Sequence, residues 1–189
     1  MLIASTYARA QMSVIDQADS RGYLSIIHDE YRTALMNKKY YGARLERFKR
    51  TNRLLEIAIA LGATTGTGVA GLAIWKQGYG TTAWAVISGL AIILSAIKPI
   101  LDYPKQIERY AKLAGEYAAH FETLRIMQQD INASRKLTTE QVETFNQVRK
   151  RSAELAVLDD THPDASTLRR AFEDVKKEIP PESLWMPAT

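Results

Sequence analysis

Apolar and polar positions follow three different patterns along this chain, and each pattern predicts a different kind of helix. Residues 20–53 mix charged and aromatic side chains with helical character, which predicts a basic helix that continues past Gly42 into the segment beyond. Between Ile57 and Ile97 the alternation disappears. Apolar and small residues occupy every face there, and Lys76 is the one charged side chain. From Ile107 onward periodicity returns: Ile107, Tyr110, Ala114, Tyr117, Phe121, Leu124 and Ile131 recur largely at three- and four-residue steps. That is a heptad-like seam, suited to packing against the N-terminal helix or another subunit.

The uncharged stretch divides into two runs. Residues 57–75 read IAIALGATTGTGVAGLAIW, and residues 77–97 read QGYGTTAWAVISGLAIILSAI. Each has the length a helix needs to cross a hydrocarbon core of about 30 Å. The glycine-containing link at 76–80 is too short to be a domain, so the two helices are expected to be antiparallel. A buried helix of a water-soluble protein rarely stays apolar on all sides for so long. The expected fold is therefore all-α: a two-helix transmembrane hairpin with N- and C-terminal cytosolic helices forming a bundle. The expected organisation is an N-terminal helical segment over 1–53, the hairpin over 54–101 (spans near 54–75 and 81–101), cytosolic helices over 102–178, and a tail over 179–189.

Charge sets the orientation. Lys38, Lys39, Arg44, Arg47, Lys49, Arg50 and Arg53 crowd the approach to the first run, with Glu46 the lone acid among them. Lys98, Lys105, Arg109 and Lys112 follow the second run, while the link offers only Lys76. Basic flanks face the cytosol, so both ends are expected there, in the inner cell membrane. Trp75, Tyr79 and Trp84 suit the far interface and Tyr103 the near one. Arg44, Arg47, Lys49, Arg50 and Arg53 are the candidate contacts to lipid headgroups or other anions. The N-terminal MLIASTYARAQ lacks the basic start and apolar run of a signal peptide.

Within the first run Gly62, Gly66 and Ala70 form a small-xxx-small pattern, and Gly89 is the matching small residue of the second. Such residues let helix backbones approach closely in lipid. Glu56, Ala60, Thr64, Thr67 and Gly71 share one helical face, and Thr81, Ala85, Ser88 and Ser95 form a comparable stripe. Glu56, Thr64, Thr67, Gly71, Ser88 and Ser95 are the candidate pore-facing positions. Two readings stay open: these stripes line a hydrated path in an assembly, or they pack the hairpin, with hydroxyls bonding back to helix carbonyls. For Glu56, an interfacial ion pair with neighbouring arginines is a sufficient account. Lys76 and Lys98 can snorkel to the interfaces.

Lys98-Pro99 and Tyr103-Pro104 mark the exit from the second run, where a helix kink is tolerable. Farther on, Thr138 and Gln141 form a capping-box pattern, with Leu137 and Val142 as its hydrophobic staple. The helix they start has Val142, Phe145, Val148, Ser152 and Leu155 as its inner positions. The sequence Asp159-Asp160-Thr161-His162-Pro163 ends it, and a short helix over 166–177 precedes Ile179-Pro180-Pro181. Leu184, Trp185 and Met186 in the tail are suited to docking on the bundle itself or on a partner.

The chemistry of an enzyme is not evident. Cysteine is absent, which removes disulfides, thiol catalysis and cysteine metal sites. His28, His120 and His162 are far apart and lack ligand spacing, so surface or structural roles are expected and no metal site. No phosphate-binding loop, dinucleotide fingerprint or nucleophile elbow occurs, and the link carries no acidic ring motif for cations. No cofactor is expected. The net charge of +4 concentrates beside the apolar run without a nucleic-acid-binding motif, so direct nucleic-acid binding is not expected either.

A basic helix with Asn37-Lys38-Lys39, a helix through Arg53-Leu54-Leu55, a tight apolar hairpin and Pro104 leading into long helices together resemble the SLATT family. These are two-transmembrane effectors associated with nucleotide-sensing bacterial conflict systems, and the resemblance covers about 20–158. It implies a pore-forming or membrane-disrupting effector in antiphage defence, with a nucleotide-producing or nucleotide-sensing partner, and no catalytic residues to carry over. The expected function is an oligomeric effector that permeabilises the membrane on a cytosolic signal. The alternative is a non-conducting anchor that recruits a cytosolic partner, and a third reading has the soluble helices sense a nucleotide directly through Arg and Lys.

Overall fold

The computed structural model describes residues 17–63, 79–180 and 183 of the chain, without the side chains of 17–19, 61–63, 79–85, 87 and 88. Among the described residues the regular structure is entirely helical: α1 (Gln17–Ala63), α2 (Tyr79–Leu101), α3 (Tyr103–Ser134), α4 (Thr139–Ala156) and α5 (Ala165–Glu178). The all-α reading is therefore correct. Helix α1 runs 47 residues through Gly42 without a break. Helix α2 tolerates Pro99 near its end, and Asp102 with φ 42° separates it from α3. Asp is among the few residues that enter this left-handed region at modest cost. Arg135, with φ 53°, ends α3, and its amide bonds to the Ile131 carbonyl at 2.9 Å. This is a helix C-terminus of left-handed type without the usual glycine.

The chain forms two compact units, one comprising Met1–Ala43 and Ala111–Thr189, the other Arg44–Tyr110. The first has an ordinary core. Leu24, Ile27, Ala34 and Leu35 of α1 meet Phe121, Leu124, Met127 and Ile131 of α3, with Val142 and Phe145 of α4 and Val175 and Ile179 closing the cluster. The seam read from the sequence of α3 is thus spent on α1 within the same chain. Tyr31 stacks on Phe121 at 5.1 Å, and each fully buried aliphatic here is worth about 1.5–3 kcal/mol.

Helix α4 begins as its sequence predicts. Thr138 Oγ1 accepts from the Gln141 amide at 3.2 Å, while Gln141 Oε1 accepts from the Thr138 amide at 2.9 Å. Leu137 and Val142 are both buried in the core cluster. Val142, Phe145 and Leu155 face inward, and Val148 and Ser152 are half-buried. Helix α5 is one residue longer at each end than expected, since Asp164 caps it by accepting from the Thr167 amide at 2.8 Å.

Candidate membrane-facing segment

The unit Arg44–Tyr110 reverses the usual distribution of side chains. Along α2, Ala91 is buried, whereas Val86, Leu90, Ile92, Ile93, Ile97, Ile100 and Leu101 are exposed, from 39% at Ile97 to 80% at Ile100. Leu54 and Ile57 of α1 are exposed as well. Ala91 with half-buried Leu94 and Lys98 forms the inner stripe of α2; the other faces present aliphatic surface. Seven large aliphatics so placed represent on the order of 10 kcal/mol of recoverable hydrophobic energy. That is comparable to the whole folding stability of a domain. A surface of this kind is ordinarily covered.

Among the described residues, no helix is long and apolar enough to cross a membrane. Residues 64–78, which hold most of the expected first span, lie outside the described residues.

Polar contacts tie α1 to α2 and α3 inside this unit. Lys98 Nζ donates to Glu56 Oε1 at 3.2 Å, and Asn52 Nδ2 donates to the same oxygen at 3.0 Å. The ion pair of Glu56 is therefore made with Lys98, not with the arginines on its own helix. Phe48 stacks on Tyr110 at 5.0 Å and lies 6.0 Å from Tyr103. Arg44 sits over Phe48 and Tyr110, each at 5.3 Å, and donates to Tyr110 Oη at 3.0 Å. Such stacking is the geometry in which a guanidinium contributes most as a cation–π partner.

The candidate residues divide accordingly. Arg44 is engaged in the ring stack, and Lys49 pairs with Glu46 at 3.3 Å. Arg47, Arg50 and Arg53 are exposed. Ser95 Oγ donates to the Ala91 carbonyl at 2.8 Å, the back-bonding arrangement. Among the described residues, a Cβ on Gly89 would meet nothing within 4 Å. Gly66, Ala70, Thr64, Thr67 and Gly71 lie outside the described residues, as do the Ser88 side chain and the surroundings of Gly62.

The other unit holds a constellation that sequence reading missed. Tyr41 Oη donates to Asp159 Oδ1 at 2.8 Å and accepts from the Asp160 amide at 3.1 Å. Tyr117 Oη donates to the same Asp159 oxygen at 2.8 Å, and its ring stacks on Tyr41 at 5.3 Å. Tyr40 Oη donates to Asp160 Oδ2 and accepts from the Asp164 amide, both at 3.0 Å. Three phenols thereby clasp the loop between α4 and α5. Burial, with the Asp159 carboxylate adding to it, pushes the Tyr41 and Tyr117 phenols well above their ordinary value of 10.0, so both remain donors. Nothing in the local sequence connects Tyr40-Tyr41 with an acidic pair about 120 positions later; only the closed tertiary loop does.

Two of the three histidines are interior. His120 Nε2 lies 3.3 Å from Glu30 Oε1, and that hydrogen bond holds the Glu30 carboxyl below the usual carboxylate range. His28 is 4% exposed, and among the described residues neither ring nitrogen has a hydrogen-bond partner; burial lowers its pKa from the ordinary 6.5. Among the described residues, no three His, Asp or Glu side chains are gathered as a metal site. No protein-family model, curated protein or solved structure matches the chain.

Proposed function

We propose that this chain is a non-enzymatic membrane effector: it inserts through a hairpin formed by the end of α1 and by α2, keeps both ends in the cytosol, and permeabilises the inner membrane as a homo-oligomer. The observation that carries the reading is the aliphatic surface of α2, exposed on all but one stripe and flanked by Arg47, Arg50 and Arg53. Lipid is the solvent that covers such a surface without a dedicated partner, and the uncharged lengths of 57–75 and 77–97 suit its thickness. Two helices per chain cannot enclose water, so conduction requires several copies. Small residues at Gly62, Gly66 and Ala70 supply a face for that assembly, and among the described residues none would meet a Cβ on Gly89 within 4 Å. A cytosolic trigger acts by favouring the assembled state over the dispersed one. That the trigger comes from a nucleotide-producing or nucleotide-sensing partner in phage defence rests on the SLATT resemblance alone.

The test is membrane potential during induced expression of the full chain. Wild type is expected to depolarise the cell, and Gly62→Leu/Gly66→Leu is expected to stay in the membrane fraction while losing that effect. Depolarisation undiminished by the double change contradicts assembly through this face. A wild-type chain that resides in membranes yet leaks no ions or dye from liposomes under any activating condition is an anchor for a cytosolic partner, and the effector reading is then wrong.

A further inference from the structure

Charges in the unit Arg44–Tyr110 do not cancel evenly. Its acids are Glu46, Glu56, Asp102 and Glu108. Most of them are spent on lysines: Glu46 on Lys49 at 3.3 Å, Glu56 on Lys98 at 3.2 Å and Asp102 on Lys105 at 4.0 Å. Arg44 is occupied by the rings of Phe48 and Tyr110. Arg50 and Arg53 stand apart. Both are exposed, and among the described residues no hydrogen bond or ion pair engages either guanidinium.

Helix α1 is unbroken from Gln17 to Ala63, so positions along it keep a fixed angular relation. Arg50, Arg53, Ile57 and Ala60 follow one another at alternating three- and four-residue steps, which places them on one face. All of them are exposed. The opposite face carries Phe48, Asn52 and Leu55, which are half-buried; Phe48 packs on Tyr103 and Tyr110, and Asn52 bonds to Glu56. Ala60 belongs, with Glu56, to the stripe that the sequence marks as a candidate path lining. The two arginines therefore continue the register of that stripe on its N-terminal side.

We infer that the assembled effector conducts anions in preference to cations, with Arg50 and Arg53 of each copy at the mouth of its path; this rests on the effector reading above. A ring of arginines concentrates anions and repels cations. Glu56, the acid on the same stripe, offsets that ring little. Lys98 neutralises it across 3.2 Å, and Asn52 holds the same oxygen at 3.0 Å. The Lys98–Glu56 pair thus sets the sign of the mouth as well as joining α1 to α2. Fixed charges act over about 10 Å at 0.1 M salt and about 3 Å at 1 M, so the preference weakens as salt rises.

The test is the reversal potential of the purified full-length chain in planar bilayers across a KCl gradient. A high protein-to-lipid ratio favours assembly by mass action. Chloride is expected to permeate at least about threefold better than potassium at about 0.1 M salt, and with less preference at about 1 M. Arg50→Glu with Arg53→Glu is expected to reverse the preference, and the milder Arg50→Gln with Arg53→Gln to bring the permeability ratio to about one. Lys98→Gln releases Glu56 and is expected to move the ratio towards potassium by a smaller step. Conductance that prefers potassium in the wild type overturns the inference and leaves the effector reading standing. So does a chloride preference unmoved by either arginine pair, which assigns those side chains to lipid headgroups. Absence of conductance under every activating condition overturns the effector reading and the inference with it.

Discussion

Helices α4 and α2 have similar lengths and opposite surfaces. In α4, Val142, Phe145 and Leu155 turn inward while Glu143, Arg149, Lys150 and Glu154 face out. In α2, Ala91 turns inward while isoleucine and leucine face out. The first arrangement is what water imposes on a helix with one partner. The second leaves aliphatic area exposed among the described residues. One polypeptide thus carries two kinds of helix, and the proposed function assigns lipid as the cover of the second.

The largest expected effects break the comparison from its two ends. Phe145 is fully buried, so Phe145→Ala is expected to cost about 3–5 kcal/mol, read as a lowered denaturant midpoint for the helical signal. Ile93 is 55% exposed, and Ile93→Arg sharpens the other end. In lipid it is expected to cost about 2.5–3.5 kcal/mol and to deplete the membrane fraction. In water the same change on a surface stays within about 0.5 kcal/mol, so a neutral Ile93→Arg in both stability and fractionation contradicts the assignment of α2.

A smaller effect is expected at the phenolic clasp. Tyr41→Phe keeps the ring that stacks on Tyr117 and removes the hydroxyl bonded to Asp159 and the Asp160 amide. Leaving these partly buried groups without a partner costs about 1–3 kcal/mol. Amide exchange in the loop at 157–164 is the sensitive readout, and protection there unchanged from wild type contradicts the clasp.

The smallest effect is with pH. His28 has a folded pKa below 6.5, so the unfolded chain binds the proton more tightly. Its contribution is complete above about pH 6.5 and is lost as pH falls through the lowered value. Glu30 also has a lowered folded pKa, so its contribution is present above the ordinary carboxylate range and is lost as pH falls further. Stability is therefore expected to be level above pH 7 and to decline in two stages on acidification. His28→Gln is expected to flatten the upper stage only. A decline near pH 6 identical in wild type and His28→Gln contradicts this assignment.

What could be read from residues alone was local. The capping box at Thr138 and Gln141 and the inward positions of α4 follow from spacing within one or two turns, and the structure reproduces them. The helix over 166–177 was legible to within one residue, though its cap, Asp164, was not named from the sequence. The seam of α3 was legible as a seam, and its partner α1 was one of two named. Long-range pairings were not legible: Glu30 with His120, Lys98 with Glu56, and the three tyrosines with Asp159 and Asp160 depend on helices brought together by the core. Arg44 read as a headgroup contact because its neighbours are basic; Phe48 lies one turn along the same helix, but Tyr110, the other ring that engages it, comes from the far end of the unit's sequence.

The measurement that bears most directly on lipid as the solvent of α2 is partition of the full-length chain. Cells expressing it are lysed and the membranes washed with alkaline carbonate, and the extracted chain is then sized with and without detergent. The chain is expected to remain in the washed membranes and to need detergent to stay dispersed. Recovery in aqueous buffer as a monodisperse single chain, with α2 still helical, contradicts the account.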